Sequence, residues 1–304
     1  MQTKLSVSIG KLKLKNPVMV ASGTFGYAEE FKDFIDLSGL GAIVTKTVTL
    51  RPRRGNPPPR TCETPAGMLN SIGLENPGLE SFIHDKLPVL KKIGIPIIMS
   101  VASEGDLEEF IELVKRLDKI NEIAALELNL SCPNIKRTGL ISQDPEATYS
   151  LVKAVRKKTK KTLITKLTPN VTDITKIAKQ AQAAGSDAVS LINTLTGMSI
   201  DVNKRTPKVA CIIGGLSGPA IRPVAVRMVW EIYREIKIPI IGMGGIMDTA
   251  SALEFFIAGA SAISVGTANF INPKVSLEII SGLKQYLSRN KIRDINQLIG
   301  SIRT

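Results

Sequence analysis

A chain of 304 residues with 43% hydrophobic and 22% charged residues can build one large, well-cored α/β domain or two small ones. No apolar run reaches the length of a membrane span, and Met1 to Lys15 lacks the apolar core of a signal peptide, so a cytoplasmic protein is expected. The net charge of +13 admits nucleic acid, an anionic substrate, a phosphate cofactor or an acidic partner; its densest stretch, Lys153 to Lys161, reads as the solvated end of a helix.

From the N-terminus, Leu5 to Lys15 alternates apolar and polar residues around Gly10, which predicts a small hairpin. Eight short apolar runs follow: Val18–Ser22, Ala42–Thr49, Pro96–Val101, Ala124–Leu130, Leu163–Leu167, Ala188–Asn193, Pro239–Gly242 and Ala262–Gly266. Between them, amphipathic or capped segments such as Asp106–Lys119, Pro145–Lys158, Asp173–Ala184 and Asp248–Ala258 predict helices. Strands buried on both faces and alternating with helices make a parallel sheet. A faint repeat, a glycine before a buried strand at Gly39, Gly185 and Gly259, favours a closed (β/α)₈ TIM barrel over a doubly wound open sheet, whose early glycine-rich turn is missing. We expect a single α/β domain over residues 1–304, with long loops after the second strand (Arg51 to Pro77) and the fourth (Pro133 to Asp144).

In such a barrel the C-terminal strand ends converge on one mouth. They are Ser22, Lys46 with Thr47, Ser100, Asn129 with Cys132, Lys166, Asn193 with Thr194, Gly244 with Gly245, and Gly266 with Thr267. A lysine inside an apolar strand is costly unless it meets an anion, and Lys46 and Lys166 occupy corresponding ends. The glycines that close the last two strands let backbone amides approach a phosphate. Asn70, Asn129, Asn134 and Asn193 offer paired donors and acceptors, suited to a planar ring such as a pyrimidine-dione or a flavin. Cys132, held by Pro133 on a stiff turn, is a candidate reactive thiol. With Cys62 and Cys211 it forms neither a disulfide framework nor a metal cluster. The single histidine, His84, stands apart from other ligand types, so no metal site and no His-centred triad is expected. Any general base is then a cysteine, lysine, carboxylate or tyrosine.

These motifs, with Ala21 to Gly26, Gly55 to Arg60, Met68 to Gly78, Asn129 to Asn134, Lys166 to Asp173, Ile192 to Thr194, Gly214 to Ala220 and Gly242 to Gly245, occur in one order from Leu5 to near the C-terminus. In this the sequence resembles the class 1 dihydroorotate dehydrogenases, and more closely their class 1B catalytic subunits. The resemblance implies a barrel with FMN at its mouth that oxidises dihydroorotate to orotate. Cys132 would be the base that takes the C5 proton, and the C6 hydride would pass to flavin N5. Lys46, Asn70, Ser71, Ile72, Gly73, Leu74, Asn129, Asn193 and Thr194 would hold the substrate, with Asn134 a weaker candidate. Ser22, Lys46, Thr47, Ser100, Asn129, Lys166, Ile192, Gly218, Gly244, Gly245, Gly266 and Thr267 would hold FMN. Ser100 departs from the asparagine usual at the third strand end, so a flavin contact there is lost or bridged by water.

Class 1B implies a homodimer of this chain joined by two electron-transfer subunits that carry FAD and a 2Fe-2S cluster and pass electrons to NAD. This chain has neither the dinucleotide fold nor the clustered cysteines to do that alone. A class 1A-like, fumarate-dependent homodimer is the alternative. An FMN-dependent tRNA dihydrouridine synthase also has a cysteine-proline turn after its fourth strand. The Asn70–Gly78 motif and Ser131 before Cys132 argue against it, and neither nucleic acid nor membrane is expected as a partner.

Overall fold

The computed structural model describes residues 3–103, 107–130 and 141–303. Eight strands close into a barrel: β1 (Val18–Val20), β2 (Ala42–Val44), β3 (Ile97–Val101), β4 (Ile123–Asn129), β5 (Thr162–Lys166), β6 (Ala188–Leu191), β7 (Ile240–Gly242) and β8 (Ala262–Val265). Each is parallel to the next, and β8 returns to β1 with Ser264 opposite Met19. All eight begin and end inside the predicted runs or within a residue of them. Their side chains are buried on both faces, as Val, Ile, Leu and Ala runs require in a parallel sheet covered by helices. The predicted hairpin is present as Val7–Ile9 paired with Leu12–Leu14.

The predicted helices form at Leu107–Asp118, Pro145–Arg156, Ile174–Ala183 and Thr249–Ala258. Asp144, Asp173 and Asp248 cap three of them, each accepting from backbone N–H groups of the first turn. The first unit differs: between β1 and β2 the chain makes turns and a short 3₁₀ segment, Leu37–Gly39, and packs Phe25 on Phe31 with ring centroids 3.9 Å apart. Two apolar cores flank the barrel, one around Phe255, Phe256 and Ile263 and one around Phe82, Phe110 and Leu126. Among the described residues no helix is long and apolar enough to cross a membrane.

Arg51 to Pro77 is more than a long loop. It contains a hairpin, Thr61–Thr64 with Gly67–Asn70, which joins Leu195–Met198 and Ile213–Ser217 in a four-stranded antiparallel sheet outside the barrel. Glycines, prolines and asparagines obscure the alternation of these short strands, and the pairing segments are far apart in sequence. The second predicted loop, Pro133 to Asp144, lies mostly outside the described residues.

The Asp248 cap anchors the glycine turn that follows β7. Its side chain accepts from Ser251 N at 2.8 Å, while Asp248 N donates to Ser251 Oγ at 3.0 Å. The backbone N–H of Ser251, followed by its hydroxyl, holds the Asp248 carboxyl below the usual carboxylate range. Asp248→Ala is therefore expected to lower stability by about 1 kcal/mol at neutral pH. A depressed carboxyl stabilises the fold above its unfolded range and ceases to do so as the pH falls through its folded value. The gap between wild-type and variant urea midpoints should accordingly close in acid.

Candidate active site

A cavity of about 530 Å³ opens at the C-terminal ends of the strands, a size suited to a small-molecule cofactor with its substrate. Ser22, Lys46, Thr47, Asn129, Lys166, Ile192, Asn193, Thr194, Gly244, Gly245, Gly266 and Thr267 line it from the barrel, with Gly218. Asn70, Ser71, Ile72, Gly73 and Leu74 line it from the outer sheet and the turn that follows. Cys132 and Asn134 lie outside the described residues. Ser100 is placed differently from the expectation: it is absent from the lining and fully buried behind Thr47. Its hydroxyl lies 2.9 Å from Thr47 Oγ1, which lies 3.1 Å from Ser22 Oγ. A serine is too short to pass Thr47, so its effect on the cavity is through that hydroxyl chain.

The carboxamides meet as a connected set. Asn193 Nδ2 donates to Asn129 Oδ1 at 3.4 Å, and Asn129 Nδ2 donates to Thr47 Oγ1 at 3.4 Å. Asn70 Nδ2 donates to the Gly215 carbonyl at 3.2 Å, which fixes it against the outer sheet. The Ser71–Leu74 turn is held at both ends: Asn56, itself in the cavity lining, donates through Nδ2 to Ser71 O at 3.1 Å and Ser71 Oγ at 3.0 Å, and Asn76 Nδ2 donates to Leu74 O at 2.7 Å. Gly73 has φ +74°, and a Cβ there would lie 2.6 Å from Asn56 N, so the close approach requires glycine.

The two lysines differ in their surroundings. Lys46 is half-buried and makes no ion pair among the described residues, which leaves its ammonium for an anion in the cavity. Lys166 is 6% exposed, with Nζ 3.8 Å from Glu127 Oε1. Apart from these lysines, the charged residue in the described lining is Glu75, which pairs with Arg60 at 2.6 Å. No tyrosine lines the cavity among the described residues, and burial, followed by Glu30, pushes the Tyr27 phenol above its usual range. His84 is exposed beside Asp85, and no group of three metal-ligating side chains occurs among the described residues.

The donor set fits a flavin mononucleotide. At Gly266, which lines the cavity, a Cβ would meet only ordinary van der Waals contacts, Ala21 Cβ at 3.7 Å and Thr24 Cγ2 at 3.9 Å, so the missing side chain widens the cavity there into a shallow cradle. Gly244 and Gly245, with φ +126° and +71°, also line the cavity and admit no side chain, since a Cβ would lie 2.9 Å from Ala225 Cβ at the first and 2.7 Å from Gly218 O at the second. Thr267 Oγ1 donates to Ser217 Oγ at 2.8 Å and ties the end of β8 to the outer sheet.

Asn56, Asn170, Ser217 and Glu127 were not singled out from the sequence. Asn170 donates to Thr168 Oγ1 and to Thr194 O, and accepts from Thr196 N, bracing the Asn193–Thr196 edge. A signal for Glu127 existed: a carboxylate within the apolar run Ala124–Leu130 is as anomalous as a lysine within Val44–Thr47.

Comparison with known proteins agrees with this geometry. The family profile described as dihydroorotate dehydrogenase matches residues 4–287. The dihydroorotate dehydrogenase B (NAD(+)) catalytic subunit of Geotalea uraniireducens is 52% identical over 301 residues, covering 99% of this chain and 98% of that protein. The proteins of the same name from Trichlorobacter lovleyi and Thermoanaerobacter pseudethanolicus are 54% and 53% identical, covering 99% and 98% of this chain and 99% of each relative. A match of this length and identity, on a barrel whose strand ends carry the expected residues, is decisive: the chain belongs to the dihydroorotate dehydrogenase family.

Proposed function

We propose that this chain oxidises dihydroorotate to orotate in pyrimidine biosynthesis, as the catalytic subunit of a class 1B enzyme whose final acceptor is NAD. The observation that carries the reading is the meeting, in one cavity, of the Lys46 ammonium, the Asn70, Asn129 and Asn193 carboxamides and the glycine cradle at Gly244, Gly245 and Gly266. Lys46 binds the substrate carboxylate, and the asparagines orient the dihydropyrimidine ring through its alternating N–H and C=O groups. Thr194 and the Ser71–Leu74 turn close the substrate from the outer side. Cys132, the residue after Ser131 beyond β4, takes the C5 proton. Ser22, Thr47, Lys166, Ile192, Gly218, Gly244, Gly245, Gly266 and Thr267 hold FMN. When bound, FMN supplies the acceptor for the hydride released from C6.

The names of the relatives, catalytic subunits of an NAD(+) enzyme, support a separate electron-transfer subunit, for which FAD and a 2Fe-2S cluster are the expected carriers. We place two such subunits on a homodimer of this chain in the cytosol. Met198, Ile200, Val202, Ile212 and Ile213, exposed on and beside the outer sheet, give that dimer an apolar face.

The test is flavin reduction by dihydroorotate, followed by absorbance on the purified chain. Bleaching on addition of dihydroorotate, with slow reoxidation by both NAD and fumarate on the isolated chain and rapid reoxidation by NAD once the partner subunit is added, is the expected result. A bound flavin that dihydroorotate leaves oxidised would overturn the activity, and rapid reoxidation by fumarate alone would overturn the NAD assignment. Gly266→Ala tests the cradle. The new methyl meets only ordinary contacts at 3.7 Å and beyond, so the variant should fold. It fills space that FMN needs, and fluorescence titration should show affinity reduced by roughly tenfold or more.

A further inference from the structure

Below the cavity lies a carboxylate for which the reaction has no use. Glu127 sits on β4 two residues before Asn129, on the same interior-facing side of the strand, and is 2% exposed. Ser190 Oγ on β6 donates to Glu127 Oε2 at 2.9 Å. Glu127 Oε1 has no hydrogen-bond partner among the described residues, and its cation is Lys166 Nζ at 3.8 Å. The strand register brings these groups together, since Lys166 is opposite both Asn129 on β4 and Ser190 on β6. Stability does not explain a charge here. A buried ion pair gains little over apolar side chains of the same volume, and one oxygen of this carboxylate lacks the hydrogen bonds that would offset its desolvation.

We propose that Glu127 is a positioning residue for the redox step: it is the fixed counter-charge that aims Lys166 and sets how strongly the cavity favours reduced over oxidised flavin. The inference rests on the flavin reading above and adds a control element to that site. Oxidation of the substrate sends one proton from C5 to a base and one hydride, two electrons with a proton, from C6 to the flavin ring. The ring system thereby gains one negative charge. An isolated ammonium in a dry cavity would favour that charged form strongly and hold the electrons back from the next carrier. A carboxylate behind the ammonium offsets part of its field, leaving the flavin reducible by the substrate and still able to pass its electrons on. The other charged groups of the described lining are Lys46 and the Glu75 that pairs with Arg60, and neither has an ion pair with Glu127 or Lys166.

The experiment is the midpoint potential of the flavin-loaded chain, measured by equilibration with a reference dye, for wild type, Glu127→Gln, Lys166→Met and the double variant. Glutamine keeps the shape and the Ser190 contact but removes the charge. Glu127→Gln should raise the ratio of reduced to oxidised flavin binding by roughly tenfold, a positive shift of about 30 mV for a two-electron couple. Lys166→Met should move the potential the opposite way, and the double variant should return toward wild type. A purely structural role for Glu127 would not produce opposite shifts that cancel. An unchanged or lowered potential in Glu127→Gln would overturn the proposal. If that variant does not fold, the double variant decides: a potential displaced as far as that of Lys166→Met alone would overturn it equally. A wild-type chain that takes up no added FMN would instead overturn the flavin reading.

Discussion

Replacing Cys132 with serine is expected to slow flavin reduction by dihydroorotate by a factor on the order of 10² to 10⁴ at neutral pH, with FMN still bound. An unperturbed cysteine thiol ionises around pH 8.5, so about a few per cent is thiolate near neutrality, far more than a serine offers as alkoxide. A serine hydroxyl in the same place stays protonated and removes the C5 proton poorly. The deficit should narrow once the pH exceeds that of thiol ionisation, where thiolate in the wild type levels off while the hydroxide available to the variant goes on rising. The described lining gives no ready substitute: its lysines are assigned to binding, and its carboxylate, Glu75, is paired with Arg60. Stopped-flow absorbance across pH reads the effect directly. Reduction in Cys132→Ser within a few-fold of wild type at neutral pH would remove the thiol from its assigned role.

Lys166→Met is expected to have the largest effect on the folded state. It leaves the Glu127 carboxylate with the Ser190 hydrogen bond on one oxygen and, among the described residues, no ion-pair partner for the other. Removing one member of a buried pair costs about 3 kcal/mol or more, because the remaining charge keeps its desolvation penalty without its partner. Urea unfolding of the flavin-free chain measures this term separately from cofactor binding. Adding Glu127→Gln should recover most of the loss, since two neutral groups of similar size are close to energetically equivalent to the pair. A Lys166→Met chain as stable as wild type would mean that water or a shifted side chain already solvates Glu127.

The barrel itself was legible because its signals are local. Runs such as Leu163–Leu167 and Ala262–Gly266 are apolar throughout, and aspartate caps such as Asp173 and Asp248 mark where helices start. The strand-end rule then placed Lys46, Asn129, Lys166, Asn193 and Gly266 together before any coordinates were needed. What was not legible depends on distant pairing or on depth. Gly67–Asn70 and Ile213–Ser217 become strands only by meeting each other, and neither segment carries a clear alternation alone. Ser100 occupies a strand-end position in sequence, but its depth behind Thr47 depends on how two strands are staggered. Charge in an apolar strand signals a demand for a counter-charge but not its source, and for Glu127 a neighbouring strand supplies it through Lys166.

The outer sheet gives the two halves of the mouth different folding histories. The glycine turns proposed to hold the flavin follow β7 and β8, neighbours in both sequence and space within the closed barrel. The proposed substrate wall requires Asn70 to meet Gly215 across a sequence separation of 145, a closure whose entropy must be met before its contacts can repay it. A wall that hangs on the outer sheet is expected to open more readily than the paired strands of the closed barrel. A chain with this sheet transiently unzipped would retain a place for the flavin phosphate while losing its grip on the pyrimidine ring. Amide exchange at Leu69 and Leu216, which pair in register, should then be faster than at Ile241 and Ile263 in the barrel wall. On the proposed assignment, substrate capture and cofactor retention would then answer to opening events of different free energy within one cavity.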